Sequence, residues 1–288
     1  MLSIFEHLHN QDRFLEAKDD YKNSKIVIIG VPMDFTVSFR PGTRFGPKKI
    51  REVSYGLESY SVYADDSLEE KKFFDAGDVD IPFGNVAKSL ELIEEVTEHC
   101  LNDNKIPLFL GGEHLVSYPI VKKVAEKYPE LTVVHFDAHA DLRDSFFGEK
   151  LSHATVLRRI SEHVKDKHIY HFGIRSGVKE EFVYANEHTH MFPIEVKAPF
   201  LSVFQDLKDK PIYITLDIDV IDPAFAPGTG TPEPGGCSSQ EILEVVSYFK
   251  ELNIVGFDLV EVSPANDLSE RTSLLAAKIV REFIIGLG

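Results

Sequence analysis

An α/β fold follows from three observations on the 288-residue sequence. Eight apolar runs of strand length recur along it, most of them are separated by segments of helical periodicity, and the runs are apolar at consecutive rather than alternate positions. A strand apolar on both faces belongs in a parallel sheet covered on both sides, and the intervening helices supply the crossovers such a sheet needs.

The runs, in order, are KIVIIG (25–30), KFFDAG (72–77), IPLFLGG (106–112), LTVVHF (131–136), HIYHFGI (168–174), HMFPIE (190–195), PIYITLDID (211–219) and NIVGFDLVE (253–261). GPKKIREVSYGLESY, between the first two, reads as a helix. After the second, Asn85 caps VAKSLELIEEVTEHCL, in which Val86, Leu90, Ile93 and Val96 share one face at helical spacing. SSQEILEVVSYFKEL precedes the last strand, and SERTSLLAAKIVREFIIGL follows it as the closing helix. No repeat, low-complexity tract or Pro/Ser-rich linker interrupts the chain, so residues 1–288 are expected to form one domain.

With 43% apolar residues a chain of this length can bury a substantial core. No run of eighteen apolar residues occurs, and MLSIFEHLHNQDRF lacks the basic and apolar regions of a signal peptide, so a cytoplasmic location is expected. Cys100 and Cys237 are too few for a disulfide framework and lack the spacing of a zinc or redox motif; they read as quiet, buried thiols. A formal charge of −16 argues against nucleic acid and anionic membranes as partners, while a small cation would be attracted.

In open sheets of this kind ligands bind beyond the carboxyl ends of the strands, and four of those ends carry unusual residues. IPLFL runs into GGEHLVS with His114, LTVVHF into Asp137, His139 and Asp141, PIYIT into Asp217 and Asp219, and NIVGF into DLVEVSP with Glu261. In an extended chain side chains at i, i+2 and i+4 share a face, which would bring Asp137, His139 and Asp141 to one spot, with Asp217 and Asp219 repeating the pattern. A single Asp-x-His is ordinarily a solvated turn. Two distant groups of carboxylates at one sheet edge, however, repel each other unless cations lie between them. Four Asp and two His exceed what one tetrahedral ion needs and suit two ions sharing carboxylates. The thiolate-free donor set favours Mn²⁺ over structural zinc, leaving zinc, cobalt, nickel and iron open. A water bridging such a pair would be acidified into a hydroxide nucleophile.

The stretches GGEH, FDAHADL, TLDIDVIDPAFAPGTGTPEPGG and DLVEVSP, with GVPMDFTVSFRPGTRFGPKKIRE near the start, resemble the ureohydrolase family of arginases, agmatinases and relatives, and the bacterial agmatinases most closely. The likeness runs from about Val27 to Glu282. It implies a three-layer α/β/α sandwich on an eight-stranded parallel sheet, as in arginases and the related deacetylases. It implies two Mn²⁺ ions per subunit, one held by His114, Asp137, Asp141 and Asp217, the other by Asp137, His139, Asp217 and Asp219. It also implies His153, in KLSHATVLRR, as the proton shuttle near the metals, and Glu261 as the carboxylate that pairs with a substrate guanidinium. Without the resemblance His153 reads as the neighbour of a helix N-cap, and Glu261 as the partner of a nearby Lys or Arg. Asp141 would also take the nucleophile's proton, and assembly into a homotrimer or homohexamer is expected.

The implied reaction is hydrolysis of a guanidine by the metal-bridging hydroxide, and agmatine, giving putrescine and urea, is the expected substrate. Arginase needs polar groups for the α-carboxylate and α-amine of arginine; the loop RDSFFGEKLS does not show the Asn-Thr-Pro and Ser-Gly-Asn elements that arginases use for them and carries Phe146 and Phe147 instead. Those two aromatics suit an aliphatic chain or a cation, or plain packing, equally well. Glu149 and Glu233 are acidic candidates for the distal ammonium, though each alone reads as a surface carboxylate. Arg143 argues the other way, since a cation in the pocket would favour guanidinobutyrate, arginine, formiminoglutamate or another guanidino acid. A catalytically silent metal-binding homologue is the alternative from another class; a one-ion zinc deacetylase is disfavoured by the number of ligands.

Overall fold

The computed structural model describes residues 7–9 and 12–288; the rest of the opening segment, read above for a leader, lies outside the described residues. In chain order the strands are β1 (Leu8–His9), β2 (Ile26–Val31), β3 (Tyr60–Ser61), β4 (Asp66–Ser67), β5 (Phe73–Val79), β6 (Ile106–Gly111), β7 (Thr132–Phe136), β8 (Ile169–Ile174), β9 (His190–Pro193), β10 (Ile212–Asp217) and β11 (Ile254–Val260). The α-helices are α1 (Gly46–Ser54), α2 (Val86–Asn102), α3 (Ser117–Lys127), α4 (Val156–Ile160), α5 (Lys179–His188), α6 (Lys197–Leu207), α7 (Ser239–Ser247) and α8 (Arg271–Leu287).

Nine strands form one sheet in the order β1-β5-β2-β6-β11-β10-β7-β8-β9, while β3 pairs only with β4. All neighbours from β5 to β9 are parallel, so the eight apolar runs are the eight parallel strands. The two-residue β1, too short for any sequence period, adds antiparallel to the β5 edge.

Each strand splits its side chains between two cores. Ile26 and Ile28 of β2 join the cluster covered by α1, α6, α7 and α8, whereas Val27, Ile29 and Val31 face α2, α3, α4 and α5. This two-residue alternation between two buried faces is why the runs are apolar throughout, and it makes the molecule a three-layer α/β/α sandwich. Arg51 of α1 is fully buried and reaches β5, where it pairs with Asp75 at 2.8 Å and Asp78 at 2.5 Å.

The strand order places the site. The chain leaves β6, skips two positions to reach β7, runs outward through β8 and β9, then returns to insert β10 and β11 between β7 and β6. The four central strands β6, β11, β10 and β7 are the four whose carboxyl ends carry the candidate residues, and a reversal of chain order opens a crevice at such ends.

Candidate metal centre and its pocket

The end of β6 is shaped by glycine. A Cβ on Gly112 would lie 1.8 Å from the carbonyl oxygen of Met33, so only glycine lets this turn approach the loop after β2. Glu113 N–H then donates to the Met33 carbonyl at 2.8 Å, and Glu261 N–H to the Gly112 carbonyl at 2.9 Å. His114, opening a short 3-10 turn, donates its backbone N–H to Glu261 Oε1 at 2.7 Å.

Two details depart from the extended alternation expected of the acidic motifs. β7 stops at Phe136, and Asp137 to Asp141 form an irregular loop in which Asp141 adopts a left-handed backbone (φ 52°). That conformation is held from outside: the Asp141 carbonyl accepts N–H groups of Leu157 and Arg158 at the start of α4. Beyond β10, Ile218–Val220 curl into a 3-10 turn because Asp217 Oδ1 accepts Asp219 N–H at 2.8 Å. The side chains meet through these turns rather than through strand alternation.

The six residues converge. His114 Nδ1 lies 3.0 Å from Asp137 Oδ2, 3.3 Å from Asp141 Oδ2 and 3.4 Å from Asp217 Oδ2. On the other side His139 Nδ1 lies 3.5 Å from Asp137 Oδ1 and 2.9 Å from Asp219 Oδ2. Asp137 thus turns one oxygen toward each histidine. Donor atoms of Asp137, His139 and Asp219 come within 4.8 Å of one another, as do those of His114, His135 and Asp137. His135 commits one ring nitrogen to Asp137 and the other to His171, so it backs the centre and is not a free ligand.

The electrostatics ask for cations. Asp137, Asp141, Asp217 and Asp219 are all buried. Burial first, and the Asp137 charge second, push Asp141 up to about 7. Burial, then Asp219 and Asp137, raise Asp217 well above the carboxylate range. Burial would raise Asp137 too, but hydrogen bonds from His114, His135 and His139 outweigh it and hold that carboxyl well below its ordinary value. Among the described residues His114 Nδ1 and Asp219 Oδ2 are buried without a hydrogen bond of good geometry, although both face the cluster. Buried carboxylates that disfavour one another's ionisation, with orphaned nitrogen and oxygen lone pairs between them, fit divalent cations bound by hard donors. Cys100 and Cys237 are both buried, and neither belongs to a candidate metal group.

A cavity of about 210 Å³ opens onto the cluster, with His153 and Glu261 on its wall. His153 follows the N-cap residue Ser152, whose backbone N–H donates to Thr155 Oγ1 at 3.0 Å, so the cap-neighbour reading and a place at the pocket are both true. Its Nε2 is 3.2 Å from Ser38 Oγ, its Nδ1 3.3 Å from Ser152 Oγ, and its backbone N–H donates to Thr36 Oγ1 at 3.0 Å. Thr36 in turn donates to Glu113 Oε2 at 2.6 Å. Burial is the main cause that brings His153 down to about 4. Glu261, also left-handed (φ 63°), is pushed up to about 8, chiefly by burial.

Phe146 lines the cavity and stands edge-on to His153, whereas Phe147 is 90% exposed. Glu149 and Glu233 do not line it; besides Asp141, Asp217 and Glu261 its wall carries the buried Glu181, whose oxygens accept the N–H groups of Leu142 and Val178. Arg143 does line it, with Nε 3.6 Å from Glu181 Oε2 and its guanidinium 5.1 Å above the Phe146 ring. Sequence reasoning passed over Thr36, Ser38, Glu113, His135 and Glu181; for His135 and Glu113 the available signal was a polar residue inside or directly after an apolar run, and Thr36, Ser38 and Glu181 carry no such signal.

Residues 24–286 match the sequence profile of the arginase family. The chain belongs to the arginase family. An agmatinase of Bacillus cereus is 50% identical over 98% of this chain and 98% of its own length. A mitochondrial guanidino acid hydrolase of Homo sapiens is 39% identical over 90% of this chain and 77% of its own. Among solved structures, the agmatine ureohydrolase of Thermoplasma volcanium superposes with a TM-score of 0.86 at 32% identity, covering 96% of this chain and 94% of that one. Among the described residues no helix is long and apolar enough to cross a membrane.

Proposed function

We propose that this protein hydrolyses agmatine to putrescine and urea at a centre for two divalent ions, manganese being the physiological pair. The observation that carries the reading is Asp137, whose two oxygens serve opposite sides of the cluster, as a carboxylate shared by two ions would. His114, Asp137, Asp141 and Asp217 would hold one ion, and Asp137, His139, Asp217 and Asp219 the other. When bound, the ions would supply Lewis acidity and a hydroxide nucleophile near neutral pH.

The chain's own residues do the rest. Glu261, anchored by the His114 N–H, pairs with the planar guanidinium and aims its carbon at the cluster. Asp141 takes the proton that the nucleophile sheds. His153, neutral at rest because of burial and oriented by Ser38 and Ser152, takes up the proton that Asp141 passes on within the cavity both line and hands it to the departing amine.

Agmatine fits better than a guanidino acid because Arg143, among the described residues the one arginine or lysine on the wall of this cavity, faces Glu181 and stacks over Phe146 rather than standing free to meet a substrate carboxylate. Urea release by the Mn²⁺-reconstituted protein, offered agmatine, arginine, 4-guanidinobutyrate and guanidine side by side, tests this directly. Selective turnover of agmatine is expected. Turnover confined to 4-guanidinobutyrate would place Arg143 in the substrate site, and no urea from any of them at full metal occupancy would sink the enzymatic reading.

A further inference from the structure

Two histidines lie side by side in the middle of the sheet, on neighbouring strands. His135 of β7 and His171 of β8 are opposite in register, both fully buried, with ring centroids 5.0 Å apart at 83°. Their Nδ1 atoms are 2.8 Å apart. Two bare nitrogens at that distance would repel, and two N–H groups would clash, so one proton lies between them.

The other end of His135 decides which ring supplies it. His135 Nε2 is 2.9 Å from Asp137 Oδ2, an acceptor, so Nε2 carries a hydrogen. A neutral His135 then has a bare Nδ1, and the bridging proton belongs to His171 Nδ1. His171 is left with a bare Nε2, and that is the nitrogen of this pair without a hydrogen-bond partner among the described residues. All four nitrogens are accounted for by one arrangement.

We propose that His171 is a positioning residue: it fixes the tautomer of His135, and through it the orientation and charge that Asp137 presents to its metal ions. The inference rests on the reading of Asp137 as a shared ligand. Without the His171 N–H, His135 is free to adopt its other tautomer, which turns a lone pair toward the carboxylate. His135 stands one step behind the ligand, where losing a partner typically costs about 10–100-fold in metal affinity; His171, one step further back and acting through His135, belongs at the lower end of that range.

The test uses full-length protein loaded with Mn²⁺ and titrated with a chelator, with metal counted by atomic emission and thermal midpoints measured with and without Mn²⁺. His171→Phe fills the space without the donor, while His171→Asn keeps an N–H close to the Nδ1 position. His171→Phe is expected to lose Mn²⁺ at roughly tenfold lower chelator and to gain less in thermal midpoint from the metal, with His171→Asn within about threefold of wild type. The metal-free midpoints separate this from a general loss of packing. His171→Phe holding Mn²⁺ as tightly as wild type overturns the inference, as does His171→Asn failing equally with an unchanged metal-free midpoint. Wild-type protein that retains no metal overturns the two-ion reading itself. Should neither variant fold, ¹⁵N shifts of the wild-type histidines in protein loaded with diamagnetic Zn²⁺ decide it: His135 is expected to show a protonated Nε2 and a bare Nδ1, and the reverse pattern overturns the proposal.

Discussion

At the scale of the residue, the charged groups of the site divide by the work burial does on them. Asp219 Oδ2 is buried without a hydrogen bond of good geometry, and Asp141 Oδ2 lies 3.3 Å from His114 Nδ1 on the cavity wall, so Asp141→Asn or Asp219→Ala is expected to weaken metal retention at least about tenfold, read as Mn²⁺ remaining after dialysis. Normal metal content and full activity in both would sink the ligand assignment. His153 makes its contacts with Ser38, Ser152 and Thr36. His153→Ala is therefore expected to keep two metals while kcat falls by roughly 10²–10⁴; loss of both metals would show its role to be structural. The same residue carries a pH signature. An unfolded histidine takes a proton near pH 6.5, whereas burial brings folded His153 to about 4. Between those values the unfolded chain binds more protons, so the contribution is full above pH 6.5 and is lost as the pH falls toward 4. Urea unfolding at pH 7 and pH 4 should show a loss on the order of 2 kcal/mol smaller in His153→Ala than in wild type. Equal losses in the two proteins would mean that His153 is protonated in the fold.

At the scale of the element, the parts that hold the site are short turns tied to strands by buried polar groups. Arg51 illustrates the cost of removing one. It joins α1 to β5 through Asp75 and Asp78, and Asp75 also accepts the Phe14 N–H at 2.8 Å. Arg51→Met would leave two buried carboxylates unpaired, at a cost of about 3–5 kcal/mol by chemical denaturation, because breaking a buried pair strands the remaining charge. A change under about 1 kcal/mol would mean that water reaches these carboxylates. The same scale explains what could be read in advance. The eight strands were legible because two-sided burial leaves unbroken apolar runs, and the convergence of the Asp and His side chains proposed as ligands because such residues at the ends of those runs are rare enough to stand out together. The supports were not. Glu113 matters because the loop after β2 packs on Gly112, and His171 because β8 lies beside β7 at a particular register. Those are facts of tertiary pairing, and no local period encodes them.

At the scale of the whole molecule, the formal charge of −16 bears on how substrate arrives. Agmatine carries two positive charges near neutral pH, and a negative protein with an acidic crevice draws such a cation in over a distance set by the ionic strength. The screening length is about 30 Å at 0.01 M salt and about 8 Å at 0.15 M, so the pull is felt across the molecule in the first case and only at the pocket mouth in the second. The chemical step takes place among buried groups, where salt screens little. Raising the ionic strength over that range should therefore lower kcat/KM for agmatine roughly 3–10-fold while kcat stays within experimental scatter. 4-Guanidinobutyrate, a zwitterion with no net charge, supplies the control: whatever turnover it shows should depend far less on salt. A kcat/KM for agmatine that is flat in salt would mean that the acidic excess serves solubility alone. Parallel falls for both substrates would point instead to salt acting on the metal centre, which the chelator titration on the same protein would reveal as earlier loss of Mn²⁺.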